Sequence, residues 1–284
     1  MFNKRHIVRT IAATASILAL SFTAACGSGQ STAADSNDIT QQTYKPGKLT
    51  IATGQPAYEP WVMNDKPESG EGYEAAVAYA VADKLGFKKS DVVWTRTAFD
   101  TAIAPGAKDW DFNIQQFGIT DERKKAVDFS SSYYNDSQSV VVKKDSKFAN
   151  ATKVSDLKDA TVGVMVGTLA YDYAKANIKD DIQTFNDDAA LAQALDAGQI
   201  DALVTSTVEC VYMVQSEQVK DAKVLGRLPD SEDKSGMGIV LPKDSKLTAA
   251  VTKAVDDLNA DGTIKKLQDK WLAEYTTDLT ELKK

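Results

Sequence analysis

From Leu49 onward, short apolar runs that suit β-strands alternate with amphipathic helical stretches, and this alternation restricts the fold more than any other feature. Leu49 to Thr53 is a β run. The stretch from Gly72 to Leu85 reads as a helix with Tyr73, Val77, Val81 and Leu85 along one side and Gly86 as its stop. Further strands are expected at Val92–Trp94, Phe112–Phe117 and, after Tyr133 and Tyr134, at Val140–Val142. The pattern then restarts. A strand over Val162–Val166, helices over Leu169–Asn177 and Ala189–Ala197, and a strand over Ile200–Val204 follow in order. Ile239 to Pro242 is a last strand; beyond it, Leu247, Ala250, Val251, Ala254, Val255 and Leu258 mark one helix and Ile264, Leu267 and Trp271 another. Strands separated by helices indicate mostly parallel sheets covered by helices, an α/β class. The two halves echo each other: Asp109-Trp110-Asp111-Phe112 and Gly198-Gln199-Ile200-Asp201 each follow a turn and lead into an apolar strand. This predicts two lobes, residues 47–134 with 238–284 and residues 135–237, joined near Tyr133–Ser137 and near Lys234–Met237. Ligands of such sheets bind beyond the carboxyl ends of the strands, so the site falls in the cleft between the lobes.

Charge and residue counts narrow the chemistry. The chain has 284 residues, 43% hydrophobic and 26% charged, with a net charge of −7. Its first 26 residues carry Lys4, Arg5 and Arg9 and no acid, leaving 30 basic against 40 acidic residues beyond them, a net −10. So acidic a body, without a basic cluster, is a poor partner for nucleic acid. The single histidine, His6, lies in the leader, so the body holds no Ser-His-Asp, Cys-His or histidine-ligated metal chemistry. With only Cys26 and Cys210, no disulfide framework is expected, and Cys210 in the apolar stretch Val208–Val214 reads as a small buried hydrophobe. No cofactor or metal site is expected. Asp257-x-Asn259-x-Asp261-Gly262 has the start of a calcium loop, but its twelfth position is Gln268 where a bidentate Glu is needed.

Residues 1–26 read as an export signal. Lys4, Arg5 and Arg9 precede an apolar stretch from Thr10 to Ala25, too short for a span that needs ~20 residues. The stretch ends in Thr23-Ala24-Ala25-Cys26, followed by Gly27-Ser28-Gly29, and resembles the lipobox of bacterial lipoproteins, with Thr23 where Leu is usual. That resemblance implies that Cys26 is acylated and begins the mature chain. Residues 27–46 are polar and aperiodic and are expected to form a disordered tether reaching roughly 25 Å. The protein is then held outside the cell, on its membrane, by lipid.

The stretch Gly118-Ile119-Thr120-Asp121-Glu122-Arg123 resembles the signature turn of the polar-amino-acid-binding proteins of ABC importers, a solute-binding family. Gly167-Thr168 with Tyr171 to Asn177 is similar to that family's second-lobe anion turn, and Ala260 to Ile264 with Lys270-Trp271 to its C-terminal helix pair. The resemblance implies a two-lobed periplasmic-binding-protein-like fold with a two-segment hinge, acting as a monomer. It implies capture of a polar amino acid and its delivery to a membrane permease driven by a separate ATPase. Arg123, one of only three arginines beyond the leader with Arg96 and Arg227, would grip the ligand carboxylate through two parallel N–H bonds.

Thr120 and Gly118 would add a hydroxyl and a backbone N–H to the same carboxylate, and Thr168 a hydroxyl and N–H from the other lobe. The family has Thr where this chain has Gly118 and a small residue where it has Gln116. One of Gln115 and Gln116 is expected to face the cleft, the alternative being an exposed edge. Tyr58, Trp61 and Phe99 match positions that wall the family's site; an aromatic is most often core, as Phe99 alone would be read, whereas Tyr58 and Trp61 sit in a Pro-containing loop, which favours a site role. The family's ammonium-binding Asp is replaced by Ser206, and Glu59, Glu74 and Glu209 remain as substitutes among which the sequence does not choose. An extracytoplasmic enzyme of the same fold, of dehydratase or lytic type, would have to use carboxylates, Lys or Tyr. An extracellular sensor would need a spanning segment and an inner domain, of which the sequence shows neither.

Overall fold

A computed structural model describes residues 38–276 and 279–284. The leader, Cys26 and most of the expected tether lie outside these residues. Two five-stranded sheets organise the rest. In the first, β1 (Leu49–Thr53) pairs in parallel with β2 (Val92–Arg96) and β3 (Phe112–Asn113). β10 (Met237–Pro242) runs antiparallel between β3 and β4 (Val127–Tyr134). In the second, β6 (Val162–Met165) pairs in parallel with β7 (Gln183–Phe185) and β8 (Ala202–Ser206). β5 (Gln138–Lys143) runs antiparallel between β8 and β9 (Ala222–Arg227). The orders β2-β1-β3-β10-β4 and β7-β6-β8-β5-β9 are one topology used twice. In each sheet the reversed strand is the one that has just crossed from the other lobe, through residues 135–137 or 228–236.

The helices follow from where apolar side chains fall. α1 (Tyr73–Lys84), α6 (Thr248–Ala260) and α7 (Thr263–Trp271) bury Val77, Val81, Val251, Val255 and Ile264 against Leu49, Ile51, Ile239 and Leu241 of the first sheet. A short α2 (Phe99–Ile103) covers the other face. In the second lobe the three valines of β5 show the period of two. Val140 and Val142 meet α3 (Leu169–Asn177) on one face, while Val141 meets α4 (Asp188–Asp196) and α5 (Thr207–Gln215) on the other. Both faces are covered, which is why these strands read as unbroken apolar runs. Cys210 is fully buried in that second cluster, as expected of a small hydrophobe. Among the described residues no helix is long and apolar enough to cross a membrane.

Several expectations are corrected. β4, β7, β9 and α2 are additional elements, and Arg227 closes β9. The strand expected over 112–117 keeps only Phe112 and Asn113, because Gln116 turns into the left-handed region at φ 50° and leaves the sheet. The tether was expected to be disordered to residue 46, yet residues 38–46 pack on the first lobe. The buried Asp111 carboxylate explains this, accepting the N–H of Tyr44 at 2.6 Å and of Thr50 at 2.6 Å. The last residues, assigned with 238–284 to the first lobe, cross to the second. Arg227 N–H donates to Thr280 O at 3.0 Å and Leu282 N–H to Arg227 O at 2.9 Å, while Leu282 enters the second core. Gly226 permits this approach: at φ 155°, a side-chain carbon there would lie 2.2 Å from Thr280 O.

Asp111→Ala removes the acceptor of two N–H groups, one of them buried. It should lower unfolding free energy by ~1–3 kcal/mol in urea melts and expose residues 38–46 to limited proteolysis. An unchanged cleavage pattern would show that another contact holds this segment.

Candidate ligand-binding cleft

The carboxyl ends of β1 and β3 in one lobe and of β6 and β8 in the other meet across a cleft with about 850 Å³ of empty space, part of it open solvent. Its lining comes from both lobes and from both crossing segments, which contribute Asp136 and Asp233.

Arg123 starts a short 3-10 turn, Arg123–Lys125, and its guanidinium is held between the lobes. Nη1 donates to Gly118 O at 2.6 Å and Nη2 to Gly167 O of the second lobe at 2.9 Å. The Phe99 ring lies beneath it, 5.5 Å from centroid to guanidinium carbon, and itself stacks on Phe117. Among the described residues Arg123 is the only basic side chain lining the cleft, and no carboxylate lies within ion-pair distance of it. Burial lowers its pKa, with Asp172 and Asp233 opposing from further off. A guanidinium carries five N–H donors, so several remain for a ligand.

The other expected residues divide. Tyr58, Trp61, Phe99, Gln116, Gly118, Thr168 and Ser206 line the cleft. Thr120 does not: its hydroxyl accepts the Arg123 N–H at 3.1 Å, so it shapes the turn rather than facing the space. The Thr168 hydroxyl is also committed, capping α3 by accepting the Tyr171 N–H at 3.3 Å and donating to Met165 O at 2.7 Å. Ser206 caps α5 by accepting the Glu209 N–H at 3.3 Å. The Tyr58 hydroxyl crosses the cleft to accept the Ala189 N–H at 3.3 Å. Trp61 is core and wall at once, fully buried against Tyr73 and Tyr134, with its indole N–H unpartnered. Both glutamines line the cleft. The Gln116 amide is taken up by Glu74, however, and it is Gln115 whose Oε1 is buried without a partner.

The acids decide what the ammonium position left open. Glu59 is occupied with Tyr212 and Asn64, and Glu74 lies behind Gln116; only Glu209 of these three lines the cleft. It stands with Asp136 and Asp188, which the sequence did not single out. Asp136 and Glu209 are buried and Asp188 is half-buried, and their withdrawal from water pushes each carboxyl up, Asp136 to about 6. Asp188 and Asp136 raise Glu209 further by like-charge repulsion. Asp136 accepts the Ser137 N–H at 2.7 Å and Asp188 the Thr205 hydroxyl at 3.4 Å, whereas Glu209 Oε2 has no partner. No Lys or Arg pairs with any of them among the described residues. No residue pattern could have flagged Asp136 or Asp188, since one lies in a connecting segment and the other merely begins a helix.

Residues 49–274 match the family described as bacterial extracellular solute-binding proteins, family 3. The chain is 29% identical over 245 residues to the L-arginine-binding protein of Pseudomonas aeruginosa, covering 81% of this chain and 88% of that protein. It is 30% identical over 223 residues to the L-cystine-binding protein TcyJ of Escherichia coli, covering 78% and 81%. Among solved structures, an ancestral arginine-binding protein bound to arginine superimposes with a TM-score of 0.68 at 31% identity, covering 79% of this chain and 98% of that one.

Gly118 marks where the lobes close. A side-chain carbon there would lie 2.5 Å from Leu169 Cδ1 and 2.8 Å from Asp233 Oδ2. Gly118→Val should therefore hold the lobes apart, raising the radius of gyration in X-ray scattering while the circular dichroism spectrum stays that of wild type. Superimposable scattering curves would mean that Leu169 yields and the contact does not set closure.

Proposed function

The chain belongs to the bacterial extracellular solute-binding proteins, family 3, and from that premise we propose that its cleft captures an amino acid with a cationic side chain for delivery to an ABC importer. One observation carries this reading: among the described residues a single guanidinium without an ion-pair partner shares the cleft with three carboxylates, Asp136 and Glu209 buried and Asp188 half-buried, that have no Lys or Arg of their own. A neutral zwitterion needs one charge of each sign. The surplus of acid suits a ligand with a carboxylate for Arg123 and two positive groups for Asp136, Asp188 and Glu209. The aromatic walls Tyr58, Trp61 and Phe99 suit the aliphatic stem between them. The relatives named for arginine support the same class.

The reading extends to the whole protein. The lobes act as a hinged clamp, and binding proceeds without turnover, in keeping with relatives named as binding proteins. The partners are a permease and its ATPase, the protein works as a monomer, and acylated Cys26 anchors it outside the cell. Cys26→Ser should release it from detergent-extracted membranes into the medium; wild-type protein that begins at another residue would remove the anchor.

Calorimetric titration with L-arginine, L-lysine, L-glutamine and L-glutamate tests the ligand class. The two cationic amino acids should bind and L-glutamate should not. Asp188→Asn should weaken the cationic ligands selectively. Arg123→Ala should cost ~2–5 kcal/mol, on the order of 30- to several-thousand-fold in affinity, and Arg123→Lys should restore it only in part. Arg227→Ala, at an exposed strand end, is the control. Preference for L-glutamine over both cationic amino acids would overturn the reading.

The raised carboxyls fix the direction of the pH dependence. Without ligand, the Asp136 carboxyl contributes stability that is present at low pH and lost as pH rises through about 6. A bound cation favours the ionised form, so capture expels protons and affinity should rise with pH through that window. Titrations at pH 6 in two buffers of different ionisation enthalpy should reveal proton release, and a dissociation constant independent of pH between about 5 and 7.5 would contradict it.

A further inference from the structure

The buried Glu74 lies outside the cleft yet holds what lines it. We propose that Glu74 is a positioning residue of the site: it fixes the turn that carries Gln115, Gln116 and Gly118 and ties that turn to the strand entering the hinge. The proposal rests on the reading of the cleft as the ligand site. Glu74 is fully buried on α1 and, among the described residues, has no cationic partner. Three donors surround it instead. Gln116 gives its backbone N–H to Oε1 at 2.7 Å and its side-chain amide to Oε2, and the Tyr133 hydroxyl donates to Oε1. Tyr73, one residue before Glu74, donates its hydroxyl to Tyr133 O at 2.6 Å, so α1 grips Tyr133 at two points.

Both ends of this network matter. Gln116 has φ 50°, a conformation unusual for a residue with a side chain, and Glu74 bonds both its backbone and its amide. Two residues on, Gly118 presents the carbonyl that accepts from Arg123. Tyr133 stands near the end of β4, just before the crossing residues Asn135, Asp136 and Ser137, and the Asp136 carboxylate faces the cleft. A buried carboxylate with no counter-ion costs stability that an apolar residue would not. Its three bonds join the ligand turn to the hinge strand, and burial raises the carboxyl to about 7.

Glu74→Gln keeps the shape but removes the charge and turns one acceptor oxygen into a donor, so the Gln116 amide must turn its oxygen inward to meet it and the charge-assisted bonds are lost. In ligand-free protein, hydrogen exchange should accelerate by about tenfold or more in residues 115–118 and 133–137 together, leaving α3 and α4 as in wild type. Tyr133→Phe, which removes a single bond, should loosen the same two segments and serves if Glu74→Gln does not fold. L-Arginine affinity should fall by about tenfold or more in Glu74→Gln and in Gln116→Glu, and the swap Glu74→Gln with Gln116→Glu should recover it to within about fivefold. A merely structural carboxylate would show no such rescue. Loosening of one segment alone, uniform loosening of the whole chain, or a swap as weak as the worse single variant would overturn the proposal. The exchange comparison needs no ligand, so it decides on Glu74 even if L-arginine is rejected and the ligand reading fails.

Discussion

The cleft holds charges that the protein itself does not neutralise. Arg123 donates only to two carbonyls; Asp136 and Glu209, buried, and Asp188, half-buried, stand together without a Lys or Arg partner among the described residues. Charges withdrawn from water are costly unless paired, and here the pairing is left to something outside the chain. The cost is borne by the two cores, each of which covers its sheet with helices on both faces. The site is therefore a local violation of the rules that the rest of the fold obeys.

The repeated topology makes such an arrangement possible. Using one strand order twice brings the carboxyl ends of both sheets to a single gap, so the guanidinium and the acids sit on separate bodies. Arg123 belongs to the first lobe, Asp188 and Glu209 to the second, and Asp136 to a crossing segment. Among the described residues, few direct bonds join the lobes apart from the crossing segments and the C-terminal residues: Arg123 to Gly167, Tyr58 to Ala189, Tyr212 to Glu59 and Gln215 to Glu274. An interface this light favours relative motion of the lobes. A ligand that satisfies both sets of charges would supply the differential affinity for the closed form that any ligand-driven closure requires.

Helix caps compete with ligand binding for the same polar groups. Thr168 and Ser206 stand where a ligand oxygen or ammonium would meet the second lobe, yet both side chains cap the helices that follow them. What they leave for a ligand is the positive end of the helix rather than the hydroxyl of Thr168. Ser206 carries no acid, and the carboxylates that line the cleft beside it, Asp136, Asp188 and Glu209, come from three different elements. The C-terminal residues add a third link between lobes, joining the edge of β9 after the chain has completed the first lobe.

The sequence alone determined the alternation of elements, the two-lobed α/β class, the helices α1, α3, α4, α6 and α7, and Arg123 in its turn. Each rests on local signals: apolar periodicity, a glycine stop, or a run of residues around a single arginine. The strands β4, β7 and β9 were not legible, because polar, half-buried edge strands such as Gln183–Phe185 carry no apolar run. Nor were the ordering of residues 38–46 or the tail's crossing to the second lobe, both of which depend on partners distant in the chain, Asp111 and Arg227. Tertiary structure alone decided which acids face the ligand space. Glu209 was one of three acids among which the sequence did not choose, and Asp136 and Asp188 are unremarkable in the chain, where 40 acidic residues compete for notice. What distinguishes the three is a place in the cleft, withdrawn from water and without a counter-ion among the described residues, a property that no residue carries by itself.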